Sequence, residues 1–274
     1  MRPIDLPLPP VPARSVQHPP IPTWHFWLDQ APKPGYLNMA IDSALLALAE
    51  RDGVGFLRVY RWAPACISFG RHEPALCRYD RARIDALGAD AVRRPTGGRA
   101  VWHDAELTYA VAAPLGVLGS LQQSCGRIHA MLTDALRLLG VHAVAAPTPG
   151  RPASPDAGAC FDTAAGGELL VGGRKVAGSA QLRTARALLQ HGSLLLGGSQ
   201  SQVRAITRAP HGEAAPTVPP LGRPVRFDDA AGAVAHAARR WEGDWHDVDR
   251  GEPIVELAAA YADGYRSEAW TWCR

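Results

Sequence analysis

Runs with strand character and runs with helix character follow one another in this chain without the regular β-α-β rhythm of a doubly wound parallel sheet. That irregular order predicts an α+β domain built on a mixed, largely antiparallel sheet flanked by helices. After Gly35, Leu37, Ile41, Leu45 and Leu48 recur at helical spacing. Phe56–Trp62 and Cys66–Phe69 read as strands, Asp80–Leu87 as a short helix ending at Gly88, and Ala91–Arg94 as extended chain running into Pro95. Strands are expected at Arg99–His103 and through Leu107, Tyr109 and Val111, on either side of a tight connection. Ser120 is placed to cap a helix whose stripe is Leu121, Cys125, Ile128, Leu132, Ala135 and Leu139, stopped by Gly140. Strand patterns return from Leu169 to Leu196. After the Pro/Gly-rich stretch Pro210–Pro224 come two amphipathic helices, one carrying Val234, Ala238 and Trp241. The other starts at Pro253 and carries Ile254, Leu257, Ala258, Tyr261 and Tyr265.

Residues 1–22 hold eight prolines and no continuous apolar run, so they read as an extended lead rather than a signal peptide, and the protein is placed in the cytoplasm. Residues 23–274 are expected to form one catalytic domain, with the C-terminal helices over about 226–270 packed back on it. At 274 residues and 47% hydrophobic content the chain buries a sizeable core. Its 29 basic and 26 acidic residues balance too evenly for a nucleic-acid or anionic-membrane binder. The five cysteines are odd in number and include no C-x-x-C pair, which disfavours a zinc knuckle, a redox dithiol and a disulfide framework.

Among the basic residues only Lys33 and Lys175 are lysines. Lys175 lies between Gly173 and Gly178, spaced as in a phosphate-binding loop, but Ser179 stands where that motif needs lysine, so a P-loop is excluded. A lysine kept between glycines in an arginine-rich chain points to chemistry a guanidinium does not supply, because an ammonium can be desolvated and deprotonated. Cys66 and Cys125 read as small buried apolar residues, and Cys77 and Cys273 have no interpretable setting. Cys160 differs, since it follows a proline-rich loop and begins an ordered-looking segment; as a nucleophile it needs a nearby cation such as Lys175. His103 and Asp104 are neighbours on a strand and point to opposite faces, so they do not form a base and its orienter. His72-Glu73-Pro74 lacks a second histidine, and no metal site is evident. His191 fits a site or a hydrogen-bonded turn equally.

Three glycine-bearing segments, Arg93 to Asp104, Gly173 to Gln181 and His191-Gly192-Ser193, together with Asn38-Met39-Ala40-Ile41-Asp42, resemble the biotin/lipoate protein ligase superfamily over nearly the whole chain. The resemblance implies the class II aminoacyl-tRNA synthetase and biotin synthetase-like fold. Lipoate ligases typically carry a third glycine where Arg99 stands, and a Gly-Asn-Leu-Asn type continuation where this chain has Ala105-Glu106-Leu107-Thr108-Tyr109. The wording Arg-Pro-Thr-Gly-Gly-Arg-Ala, Glu-Leu-Thr-Tyr and Ala-Cys-Phe-Asp is instead similar to LipM-type octanoyltransferases.

That likeness implies octanoyl transfer from octanoyl-acyl carrier protein through a Cys160 thioester to a lysine of a lipoyl domain, the glycine cleavage H protein or an E2 subunit. No cofactor is implied. Cys160 is the implied nucleophile and Lys175 the site lysine, with neutral Lys175 or His191 left as acceptor of the incoming amine's proton. Arg93, Arg94, Thr96, Gly97, Gly98, Arg99, His103, Gly178, Ser179, Ala180, His191 and Gly192 are the implied substrate-binding residues, and Arg93, Arg94 and Arg99 either help dock acidic partners or form a solvated face. Three other readings share these motifs: an octanoyl amidotransferase between lipoyl domains, an ATP-dependent lipoate ligase and a non-catalytic lipoyl-domain binder.

Overall fold

The structure, a computed structural model, describes residues 22–147, 167–198, 200–208 and 219–273. In chain order the elements are β1 (Thr23–Leu28), α1 (Gly35–Asp52), β2 (Gly55–Tyr60), β3 (Cys66–Phe69), α2 (Ala75–Arg78), α3 (Arg81–Ala86), β4 (Asp90–Arg93), β5 (Val101–His103), β6 (Glu106–Pro114) and α4 (Leu121–Leu138). They continue with β7 (Val144–Ala145), β8 (Leu169–Val171), β9 (Arg174–Lys175), β10 (Ala177–Arg183), β11 (Ala187–Leu195), α5 (Ser201–Ala205), α6 (Phe227–Ala238), β12 (Asp244–Asp247), α7 (Glu252–Arg266) and α8 (Glu268–Thr271).

Six strands form the main sheet in the order β10-β11-β6-β2-β1-β12. The first four are antiparallel neighbours, whereas β1 runs parallel to both β2 and β12, so the sheet is mixed. Its side chains alternate faces as pleating requires. Leu107, Tyr109, Val111 and Ala113 of β6 pack with Leu57 and Val59 of β2 against α4 and α6. Ala110 and Ala112 pack with Phe56 and Tyr60 against α1 and α7. Both faces are therefore covered, and every residue of β2 and β6 is buried. Because α1 is held between the sheet and α7, it is buried over most of its circumference, the small Ala40 and Ala44 fully so, and it carries the polar Asn38, Asp42 and Ser43 into the interior.

A three-stranded sheet, β4-β3-β5, packs through Ile67, Phe69 and Trp102 onto Tyr79, Ile84, Val203 and Ile206. A third small sheet, β7-β8-β9, ends in a hairpin whose two turn residues, Gly172 and Gly173, both have positive φ (55° and 77°). Side chains rarely tolerate that pair of conformations, so these glycines serve the turn.

Cys66–Phe69 is a strand as expected, Asp80 caps α3, Ser120 caps α4 in a capping box with Gln123, and Pro253 opens α7. Two expectations need correction. The α4 stripe is rotated: Ser124, Ile128, His129, Met131, Leu132, Ala135 and Leu136 are buried, while Cys125 is half-buried beside His129 instead of deep in the core. Cys66 is the thiol that fits the apolar reading, and burial pushes it well above its ordinary pKa. The strand expected to reach Trp62 stops at Tyr60, Trp62 making only an isolated bridge to Lys33. Cys160, the lead over residues 1–21 and most of the 210–224 stretch lie outside the described residues. No helix among the described residues is long and apolar enough to cross a membrane.

Candidate active site

Where β10, β11 and β6 face the segment joining β4 to β5, the chain forms a narrow, partly open pocket with a volume of about 40 Å³. Met39, Tyr60, Trp62 and Val101 supply apolar wall, and Arg94, Gly98, His103, Gly178, Ser179, Ala180, His191 and Gly192 complete it with Thr108 and Ser193. Eight of the residues implied by the resemblance thus meet at one wall-lined space. Arg93, Thr96, Gly97, Arg99 and Lys175 do not line it.

Sheet register explains how the wall is built. Tyr109, Gly192 and Ser179 stand in one row across β6, β11 and β10, on the α4 face. With no side chain on Gly192, the Tyr109 ring crosses to Ser179, their hydroxyls 2.7 Å apart. A Cβ at Gly192 would sit 2.4 Å from the Gly178 carbonyl oxygen and 2.8 Å from Tyr109 Oη. Gly192→Ala is therefore expected to cost about 1–3 kcal/mol, read as an earlier urea midpoint, because backbone must shift; an unchanged midpoint counts against this packing. On the other face His191 and Ser193 point toward α1 and β5.

The histidines sit in buried chains of carboxylate, imidazole and hydroxyl. Asp42 Oδ2 lies 2.9 Å from His191 Nδ1, and Thr96 Oγ1 lies 2.7 Å from His191 Nε2. A carboxylate accepts, so Nδ1 carries the proton and Nε2 accepts from the Thr96 hydroxyl. Burial holds His191 below its ordinary pKa despite Asp42, so it is neutral. That neutrality balances the local charge: Asp42 and Asp29 are matched by Arg58 and Lys33, the fully buried Arg58 guanidinium reaching Asp42 at 2.9 Å and Asp29 at 2.7 Å. The same guanidinium lies over the Tyr60 ring, its carbon 3.8 Å from the ring centroid.

In the second chain, Glu106 Oε1 lies 2.7 Å from His103 Nδ1 and Ser68 Oγ lies 2.5 Å from His103 Nε2. The orienter of His103 is thus Glu106, three residues on, and the exposed Asp104 plays no such part, in keeping with the strand argument. Trp62 stacks on the ring at 4.0 Å.

A third imidazole was not singled out from sequence. His129 of α4 lies 2.7 Å from Ser179 Oγ through Nε2 and 2.7 Å from the Gly167 carbonyl through Nδ1. The available signal was a polar residue next to Ile128 on an otherwise apolar helix face.

The arginines divide by burial. Arg93 is fully buried and donates to the carbonyls of Gly70, Arg71, Glu73, Trp270 and Thr271, tying α8 to β4. Arg94 is also buried, binding Ser68 and the carbonyls of Gly97 and Arg99. Neither offers a docking surface, which corrects the expectation for these two, while Arg99 is half-buried. Gly98 takes φ 93° and lays its carbonyl so close to Gly70 that a Cβ there would lie 1.8 Å from it. Nothing lies within 4 Å of a Cβ built on Gly97. Lys175 is buried with Nζ 2.8 Å from Glu168 Oε1, and its charge reaches His129.

Residues 34–226 match the model of the lipoyl protein ligase A/B catalytic domain. Octanoyltransferase LipM of Symbiobacterium thermophilum is 38% identical over 226 residues, 76% of this chain and 82% of that protein. Octanoyltransferase LipM of Exiguobacterium sibiricum is 34% identical over 272 residues, 87% of this chain and 94% of that protein. Among solved structures, a bipartite lipoate protein ligase from Thermoplasma acidophilum superposes with a TM-score of 0.71 at 20% identity, covering 92% of this chain and 96% of that one. A lipoate-protein ligase A bound with ATP also gives 0.71 at 20% identity, covering 91% and 98%.

Proposed function

Because the chain belongs to the lipoyl protein ligase A/B catalytic-domain family, we propose that it carries an octanoyl group from octanoyl-acyl carrier protein, through a thioester on Cys160, to a lysine of the glycine cleavage H protein. It is an octanoyltransferase of lipoate biosynthesis, with an acyl donor and a lipoyl-domain acceptor. The observation that carries the reading is the apolar cavity walled by Met39, Tyr60, Trp62 and Val101 beside Gly178–Ala180. Transferring about seven methylene-sized groups into such a wall yields about 5–6 kcal/mol at roughly 0.8 kcal/mol each, enough to select chain length.

Exchange of one thioester for another is nearly neutral in free energy, and aminolysis to an amide runs downhill, so ATP has no step to drive. Lys175, buried at the end of β9, is suited to stabilise the tetrahedral oxyanion, and its contact with Glu168 orients the ammonium. Lys175, 2.8 Å from Glu168, and His191, hydrogen-bonded to Asp42 and Thr96, are the two candidates for taking the amine proton. Incubation of the protein with octanoyl-acyl carrier protein and the H protein, without nucleotide, is expected to yield octanoyl-lysine by mass spectrometry. Strict dependence on ATP with free octanoate would overturn this reading in favour of ligation.

A further inference from the structure

The pocket runs from an open end to a closed one. At the open end stand Gly98, which is exposed, and Ala180 and Gly192, which are half-buried. At the other end Met39, Tyr60 and Thr108 have 1%, 0% and 2% of their surface exposed. An acyl tail that enters past the glycines therefore ends against Met39 and the apolar groups beside it. We propose that Met39 sets the length of acyl chain the protein accepts, its side chain being the movable end wall of the pocket. The proposal rests on the octanoyl-transfer reading above and names the residue that fixes its chain length.

Space makes a movable wall necessary. An apolar cavity that takes up benzene measures about 150 Å³, whereas this pocket offers about 40 Å³. An eight-carbon tail fits only when a wall group moves aside.

Three of the four apolar wall groups are held in place. The Tyr60 hydroxyl donates to Asp42 Oδ2 at 2.9 Å, and the Arg58 guanidinium covers its ring. Trp62 donates from Nε1 to Thr108 Oγ1 at 2.7 Å and stacks on His103. Val101 is branched at Cβ and sits in β5, paired with Ser68 of β3. Met39 differs, because its side chain is unbranched, turns about three bonds and packs among apolar neighbours. Its backbone, in contrast, is anchored. The preceding residue, Asn38, donates from Nδ2 to the carbonyls of Lys33 and Arg61 and accepts from Arg58 at Oδ1. The helix thus stays in place while the thioether swings, and the depth gained is limited by the reach of this one side chain.

Competition between chain lengths tests this. Equal amounts of octanoyl- and decanoyl-acyl carrier protein are offered together to the wild type, Met39→Ala and Met39→Val, with the H protein as acceptor, and the acyl-lysine products are counted by mass spectrometry. Because both products come from one mixture, a general loss of activity or stability cancels, and only a change in length preference moves their ratio. The wild type is expected to yield mainly octanoyl-lysine. Alanine opens room for about two more methylenes, each worth about fourfold when withdrawn from water, so the decanoyl-to-octanoyl ratio should rise on the order of 15-fold. Valine, shorter than methionine but larger than alanine, should raise it about fourfold. A wild-type ratio in folded Met39→Ala overturns the proposal, and should that variant not fold, a wild-type ratio in Met39→Val overturns it equally. A wild type indifferent to chain length also overturns it. A wild type that transfers neither group removes the octanoyl-transfer reading itself, a result distinct from transfer with unchanged preference in the variants.

Discussion

Arg58→Met should lower folding stability by about 3–5 kcal/mol, the usual result of removing one partner from a buried ion pair. Arg58 lies at the centre of β2 with no exposure, and its fork binds Asp29, Asp42 and Asn38 at once. Methionine fills similar space but leaves Asp42 with only the Tyr60 hydroxyl and the His191 ring as donors. A buried carboxylate without its cation either stays charged at high cost or takes up a proton. Either outcome alters the Asp42–His191–Thr96 chain behind the cavity, so activity should fall with stability. Urea unfolding of both proteins provides the measurement, and a difference under 1 kcal/mol would show that the cluster contributes little. Arg58→Lys should recover less than half of the loss, since an ammonium does not bridge three acceptors as a planar fork does.

Much of this arrangement is legible in the amino-acid order, and the rest is not, for identifiable reasons. Elements whose stability is local could be read: Ser120 with Gln123 caps α4, and Pro253 opens α7. Strand β12 could not, because Asp244–Asp247 is a polar, mostly exposed edge whose identity depends on pairing with β1 more than two hundred residues earlier. The motif glycines were visible as a group, but their separate duties were not. Gly172 and Gly173 serve a turn, Gly98 a positive φ, and Gly192 the passage of the Tyr109 ring. Arg93 shows the limit of residue type alone, since a cation in a basic motif invites a docking role that complete burial removes. His129 is invisible for the opposite reason: it approaches Ser179 only because α4 crosses the sheet there, fifty residues away in sequence.

Replacing the nucleophile has the largest expected effect on activity. Cys160 is the sulfur through which the proposed transfer runs, and without it the acyl group has no covalent station between donor and acceptor. Apolar binding and the Lys175 charge would remain in Cys160→Ala, yet they act on a thioester that no longer forms. Turnover should therefore fall to background rather than by a modest factor.

Intact-mass measurement after mixing the protein with octanoyl-acyl carrier protein, in the absence of ATP, tests this most directly. The wild type is expected to gain one octanoyl group, removable by hydroxylamine as a thioester is, and Cys160→Ala to gain none. An adduct on Cys160→Ala, or octanoyl transfer by a wild type that never carries one, would contradict the covalent mechanism.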